Sequence, residues 1–332
     1  MPSEVAPAAE ISITPAISTL SCANRWDHIL ARWRVNRSGH RISPGLYALG
    51  KPGADSPIFI SANYTLSFDA LRSSLAGIDA YILVLNTYGV NVWCAAGKGT
   101  FGTEELVERI ETSELAKVVR HRSVIVPQLG APGVAAHEVK KQSGFSVEYG
   151  PVRAADLPEY LKTHKATPEM RRVRFGLLDR LVLTPVELVG YLLYILIAAA
   201  VLYFWGGLSA GLMVILAIAG GAVLFPILLP WLPTRDFSTK GFFLGGVLTL
   251  AVVLMNVLWL EADASPWHKV LGGVSYMLIW PAVVAFIALN FTGSTTFTSR
   301  SGVRREIYSY VRIMAISFIA GILLNIVVIF IK

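Results

Sequence analysis

Two hydrophobic rhythms divide the chain. Up to about residue 165 apolar residues arrive in short bursts, and beyond residue 183 they merge into runs of about twenty or more. The bursts at 57–64 (PIFISANY), 80–86 (AYILVLN), 123–129 (SVIVPQL) and 145–152 (FSVEYGPV) have strand character. Between and after them lie stretches of helical character, at 68–75, 103–119, 134–142 and 154–163. In 103–119, Leu106, Val107, Ile110, Leu115 and Val118 form one broad stripe, Glu104 and Glu105 suit a helix start, and Thr103 is placed to cap it. The alternation predicts an α/β fold with a parallel sheet covered by helices. Ligands of such folds sit beyond the carboxyl ends of the strands. Those ends fall at Asn63, 87–89, 128–130 and 149–152, which makes Asn63, Thr87, Gln128, Gly130 and Gly150 candidate contacts.

The second half reads as membrane. Runs at 185–204, 208–232, 241–260, 267–291 and 311–331 are each long enough to cross a hydrocarbon core of about 30 Å as a helix. Gly220, Gly221, Pro226 and Pro230 predict a kink near the end of the second. Arg171, Arg172, Arg174 and Arg180 precede the first run, Arg235 and Lys240 lie in the second loop, and Arg300, Arg304 and Arg305 lie in the fourth. The opposite side has Lys269 and Lys332. Basic residues favour the cytoplasm, so the N-terminal domain is placed there, in an inner (cytoplasmic) membrane protein whose C-terminus is outside. The pattern divides the chain into a disordered tail at 1–24, an α/β domain at 25–165, a basic linker at 166–182 and an all-α five-helix transmembrane domain at 183–332. The start of the chain lacks the basic and apolar regions of a signal peptide.

Composition sharpens this picture. A mean hydropathy of +0.56 with 15% charged residues is too apolar for an ordinary soluble enzyme of this length. The formal charge of +7 is mostly membrane topology. Basic residues that flank spans instead of forming a stripe interleaved with aromatics give no reason to invoke nucleic acid. Two cysteines, Cys22 and Cys94, cannot supply the four thiolates of a usual iron–sulfur cluster, and no zinc spacing is present.

Cys94 stands in NVWCAAGKGTFG (91–102), just before the helix at 103, among Ala95, Ala96, Gly97 and Gly99. Their small size leaves room for a large flat molecule to reach the sulfur. GKGT is not a P-loop: that motif needs GxxxxGK followed at once by Ser or Thr, and residue 92 is Val while residue 99 is Gly. A lone thiol is also often a buried structural cysteine, and a nucleophilic role needs a base that nothing in the sequence places beside it, although His121, His137 and His164 exist.

With PGLYALGKPGADSPIFISANYTLSFDALR (44–72), HRSVIVPQLGAPGV, YGPVRAADLPEY and NFTGSTTFTSRSGVRREI, this cysteine segment resembles the membrane-anchored corrinoid protein of mercury methylation over nearly the whole chain after the tail. The soluble region is also similar to the corrinoid iron–sulfur protein of the acetyl-CoA pathway. The resemblance implies a Rossmann-like corrinoid-binding domain in which Asn91, Val92, Trp93, Cys94, Ala95, Ala96, Gly97 and Lys98 form a cap helix, continued by Gly99 and Thr100, over a cobalamin-type cofactor. Cys94 is then the catalytic residue and the lower axial ligand of cobalt, a soft donor matched to a late transition metal.

The implied reaction is methyl transfer from cobalt to Hg(II), giving methylmercury, with the methyl supplied ultimately by a methyl-folate. The chain is expected to carry no iron–sulfur cluster, so its reductant is expected to be a ferredoxin-like partner with two [4Fe–4S] clusters. Lys98 is either a contact to the corrinoid periphery or simply solvated. Trp93 and Phe101 read as packing residues, Asn91 as the anchor of the cap, and Cys22 as incidental. Asn86 and Tyr88 replace a more charged DTK-like sequence of relatives.

Two alternatives accompany this reading. One is a corrinoid methyl carrier with a different acceptor, and the other a membrane sensor or transporter. Transport fits poorly, since Glu187, His268 and Lys269 lie near span ends and none near a midplane. The spans serve as a tether, as a dimer interface through Gly241, Gly245 and Gly246, or to hold the domain beside a metal uptake route.

Overall fold

A computed structural model describes residues 12–36, 38–260, 265–295 and 300–330. Residues 1–11 of the expected tail and Lys332, expected outside, fall beyond these. The chain divides into two compact units, one reaching Val173 and one beginning at Arg174, with Arg32–Arg34 grouped with the second.

The first unit holds strands β1 (Ile13–Ala16), β2 (Gly45–Leu49), β3 (Ile58–Ala62), β4 (Ala80–Leu85), β5 (Ser123–Val126) and β6 (Ser146–Tyr149). Its helices are α1 (Cys22–Arg32), α2 (Thr65–Ser74), α3 (Val92–Lys98), α4 (Thr103–Thr112), α5 (Leu115–Val118), α6 (Ala136–Ser143), α7 (Leu157–Thr163) and α8 (Pro168–Arg171). The sheet order is β1-β2-β4-β3-β5-β6.

Strands β3 to β6 run parallel, as the alternation predicts, but β2 pairs antiparallel with β4 and carries β1 parallel on its outer side. The sheet is therefore mixed. The expected disordered tail is corrected from residue 12 onward: β1 is an edge strand held by backbone pairing with β2, and α1 follows it. An edge strand with an exposed face needs no alternating pattern, which is why the sequence hides it. The expected linker also gives way, since α8 buries Met170, whose carbonyl accepts from Val152 N at 2.9 Å.

Every residue of β3 and β4 is buried, so these strands read as unbroken apolar runs. One face of the sheet packs Leu46, Ile58, Ile60, Leu83 and Leu85 against Ala95, Phe101, Leu106 and Val139. The other packs Tyr47, Phe59, Ile82 and Val84 against Phe68, Leu71, Leu157 and Tyr160. Helices α3, α4 and α6 thus cover one side, and α2 and α7 the other.

The second unit is helical: α9 (Leu177–Leu181), α10 (Thr184–Ala219), α11 (Phe225–Leu228), α12 (Phe237–Met255), α13 (Pro266–Asn290) and α14 (Arg300–Phe330). Gly207, with φ 74°, breaks α10 in two. By length and composition five helical stretches can cross a membrane: Leu177–Phe204, Gly207–Leu228, Phe237–Leu258, Pro266–Gly293 and Ser301–Phe330. A π turn at Gly220–Leu224 lies where the kink is predicted.

The glycines expected in a dimer stripe have a different use. A Cβ on Gly241 would lie 2.6 Å from Ala285 Cα, and one on Gly245 would lie 2.7 Å from Pro281 Cα. Both seat α12 against α13 within the chain, and Gly246 alone faces open space. At the start of α12, the buried Glu306 carboxylate accepts from Phe237 N (3.2 Å), Ser238 N (3.0 Å) and Ser238 Oγ (3.0 Å).

Candidate functional site

The four parallel strands all finish at one edge of the sheet, and the loop after β4 is built there around one side chain. Asn63, at the end of β3, accepts through Oδ1 from Thr87 N (3.0 Å) and Gly89 N (2.9 Å). The Thr87 hydroxyl, with one proton to give, lies 2.9 Å from the same oxygen and 2.7 Å from Val90 O. Tyr88 and Gly89 both adopt left-handed φ, 57° and 74°. A Cβ on Gly89 would come within 2.8 Å of Arg41 Cγ, so glycine is needed there for both conformation and space.

Asn86 does the local work of this turn, its Oδ1 accepting from Tyr88 N (3.2 Å) while its own N–H donates to Glu105 Oε1 (2.7 Å). Glu105 is in turn held by Arg109 at 2.9 Å. The departure at Asn86 therefore keeps an oxygen acceptor for the turn, and Tyr88 points its ring outward, 64% exposed.

Helix α3 follows. Asn91 is its N-cap, accepting through Oδ1 from Cys94 N at 2.9 Å, as expected of the residue anchoring this segment. Gly99 ends the helix with φ 86°. Ala95 and Ala96 are buried against the core, which corrects the expectation that they clear space around the sulfur. Their small side chains instead let the helix seat on the loop after β5. A Cβ on Gly133 would lie 2.1 Å from Phe101 O and 3.1 Å from Ala96 Cα, and one on Gly130 would lie 2.5 Å from Phe101 Cε1. Phe101 is fully buried, the packing role expected of it.

Gly97 is different. It is exposed, and a Cβ there would meet nothing within 4 Å. Cys94, Gly97 and Lys98 stand at i, i+3 and i+4, so they share one side of α3. Cys94 is half-buried and in no disulfide, and Lys98 is exposed. Thr103 does not cap α4: Gly102 occupies that position, and the Thr103 hydroxyl accepts from Ala135 N at 2.8 Å, tying α4 to the loop before α6.

The other expected site residues fall into two groups. Asn63, Thr87, Gly130 and Gly150 are buried, and the structure shows them shaping the strand ends. A Cβ on Gly150 would lie 3.0 Å from Ile125 Cγ2. Val92, Trp93, Thr100 and Gln128 are half-buried, and Arg171 holds Gln128 through Oε1 at 2.7 Å. Sequence reasoning gave Arg41 and Arg109 no role, and read Glu105 as a helix start and Arg171 as a span flank without bringing either to this edge of the sheet. Only the Glu105/Arg109 spacing of four on a helix carries a visible signal.

On β6, Glu148 accepts from Ser123 Oγ (2.7 Å) and Tyr160 OH (3.3 Å) and lies 3.2 Å from His164 Nδ1. Burial pushes its pKa up, but these contacts with Ser123, His164 and Tyr160 outweigh burial and hold it below the usual value. The Tyr160 hydroxyl is pushed up to about 12 by burial and by the Glu148 charge. Among the described residues no three His, Cys, Asp or Glu side chains gather as a metal site, so Cys94 stands as a single candidate ligand.

The matched family now fits onto this geometry. Residues 35–161 match the family described as CO dehydrogenase/acetyl-CoA synthase delta subunit. The match begins before β2 and ends within α7, so it takes in the sheet from β2 to β6 and the cysteine helix. The acetyl-CoA decarbonylase/synthase complex subunit gamma of Methanopyrus kandleri is 31% identical over 128 residues, 38% of this chain and 27% of that protein. Its counterpart from Archaeoglobus fulgidus is 32% identical over 128 residues, again 38% and 27%. The subunit from Methanocaldococcus jannaschii is 25% identical over 130 residues, 39% of this chain and 26% of that protein. The chain thus spans about a quarter of the length of the curated relatives it matches.

Proposed function

We propose that the first unit binds a cobalamin-type corrinoid with Cys94 as lower axial ligand, and that the chain is a membrane-anchored methyltransferase acting on Hg(II). The observation that carries this reading is the pairing of Cys94 with Gly97 on one side of an Asn91-capped helix at the carboxyl edge of the sheet. Gly97 costs a helix about 1 kcal/mol relative to alanine, and no internal packing calls for it. A flat macrocycle lying against α3 gives the missing side chain a reason. The residues present fit the group.

When bound, a corrinoid would supply a transferable methyl group, and Cys94 would hold the cofactor as a soft, electron-donating sulfur ligand. The chain's own residues do the positioning. Asn91 fixes the first turn of α3 and with it the direction of the Cys94 side chain. Ala95, Ala96, Gly130 and Gly133 keep that helix seated so that the sulfur does not drift. Lys98 offers a cation one turn beyond Cys94, suited to a propionamide oxygen or a phosphate tail. Asn63 and Thr87 keep the neighbouring loop rigid.

The mercury acceptor rests on the resemblance of the cysteine segment together with the five apolar helices. A ferredoxin-like protein with two [4Fe–4S] clusters supplies electrons, and a methyl-folate system supplies the methyl group. The arginines before the first span favour a cytoplasmic site. A second reading, a corrinoid methyl carrier with another acceptor, is favoured by the similarity to subunits named for the acetyl-CoA decarbonylase/synthase complex.

Anaerobic absorption spectra of the full chain loaded with cobalamin, wild type beside Cys94→Ala, test the ligand. A sulfur-ligated, base-off spectrum lost in the variant is expected, and identical spectra would remove the basis of the proposal. Membranes supplied with reductant and methylated corrinoid then separate the acceptors: methylmercury formed from Hg(II) supports the first reading, and its absence with intact ligation leaves the second.

A further inference from the structure

Helix α1 is amphipathic the wrong way round for a helix packed on a soluble domain. Asp27 and His28 face inward: Asp27 accepts from Thr65 Oγ1 at 2.8 Å and pairs with His40 at 2.7 Å, while His28 pairs with Asp69 at 2.8 Å. Ala31, on the same side, is buried. Asp69 also binds Arg72 Nε at 2.6 Å, and the Arg72 guanidinium donates to Ile17 O and Thr19 O, fixing the segment that leads into α1. The outward side carries Cys22, Trp26 and Ile29. Trp26 is 60% and Ile29 45% exposed.

Trp26 and Ile29, turned outward opposite the half-buried Asp27 and His28, call for an occupant. Charge selects it: residues 12–41 hold five arginines and one acidic residue, Asp27, which is already engaged inward. Two of the five arginines, Arg25 and Arg32, lie in α1 itself, and tryptophan and isoleucine on one side of a helix in such an arginine-rich segment match the headgroup layer of an anionic bilayer. The same chain carries five helices apolar and long enough to cross such a bilayer. We propose that α1 lies in the interface of an anionic membrane, with Cys22, Trp26 and Ile29 in the headgroup layer. This inference does not depend on the corrinoid reading.

The test uses the full chain in nanodiscs. Cys94→Ser leaves Cys22 as the single thiol, which takes an environment-sensitive fluorophore. In discs containing phosphatidylglycerol the label is expected to shift to the blue, to be quenched by nitroxide lipids labelled near the headgroup, and to be shielded several-fold from acrylamide. Discs of phosphatidylcholine alone and high salt are expected to weaken the shielding. Trp26→Glu and Ile29→Glu, both on the outward side, are expected to abolish it with the thermal melt unchanged. If either variant unfolds, nitroxide quenching of the unsubstituted helix still decides. Equal acrylamide access in phosphatidylglycerol discs and in detergent would overturn the proposal. So would shielding that follows protein concentration and not lipid, which assigns the face to a second copy, or shielding that appears only when a soluble protein is added.

Discussion

Asn63 and Glu306 solve the same problem in the two units. Each sits far along the chain from the segment it serves, and each accepts from two backbone N–H groups, Thr87 and Gly89 for Asn63, Phe237 and Ser238 for Glu306. The first unit uses a neutral amide, and its donors belong to a short loop and not to a long helix. The helical unit uses a carboxylate because its donors open a long helix, whose positive end offsets the charge. Buried backbone donors must be satisfied in both settings. What differs is whether the local field can compensate a charge.

Several changes would break or sharpen this comparison. Glu306→Ala should have the largest effect, about 3 kcal/mol, because three donors at the α12 start lose their acceptor. Detergent-solubilised protein titrated with SDS should unfold at a clearly lower denaturant fraction, and an unchanged midpoint would mean that water already serves that helix end. Asn63→Ala should cost about 2 kcal/mol and loosen the 86–90 loop, read as faster amide exchange at Thr87 and Gly89. Asn63→Asp keeps the acceptor but buries a charge that this loop does not offset, so it should recover only part of the loss.

Glycines give a contrast within the candidate site. Gly133→Ala should destabilise by about 2 kcal/mol because its Cβ meets backbone. Gly97→Ala should instead stabilise the ligand-free chain by up to about 1 kcal/mol, since α3 gains a better helix former in open space. The same change should weaken corrinoid retention. A Gly97→Ala protein that is more stable and still binds corrinoid as tightly as wild type would show that this side of α3 does not meet the ligand.

The smallest expected effect concerns acid. The folded-state pKa of Glu148 lies below its ordinary 4.5, so its contribution is complete above that value and is lost as pH falls through the folded one. Glu148→Gln should therefore show a shallower acid-side decline in thermal midpoint, with little difference from wild type in slope near neutrality.

Legibility in the sequence followed physical cause. Strands β3 and β4 stood out because burial on both faces makes them apolar runs, β5 and β6 as short β-rich bursts between helical stretches, and the long helices because their apolar residues form runs of about twenty or more. Cys94 and its small neighbours were visible as composition, and Asn91 as a cap at the right spacing. Strand β1 was hidden because it is mostly exposed, with only Ala16 packed against the core, and the antiparallel direction of β2 because pattern carries no direction. Thr103 looked like a cap from its position, but Gly102 takes that place while the Thr103 hydroxyl serves Ala135.

The sequence by itself determined the division into an α/β part and an apolar helical part, since hydrophobic period and run length are local properties of the chain. It also determined which residue carries the one thiol set among small neighbours. Only the tertiary structure decided what the small residues are for. Ala95 and Gly133 proved to be packing surfaces, Gly241 and Gly245 an internal helix seam, and Gly97 an open face, because the use of a missing side chain depends on which atoms stand opposite it. The inward polar side of α1 was decided there too, since Asp27 and His28 find their partners 38 and 41 residues away.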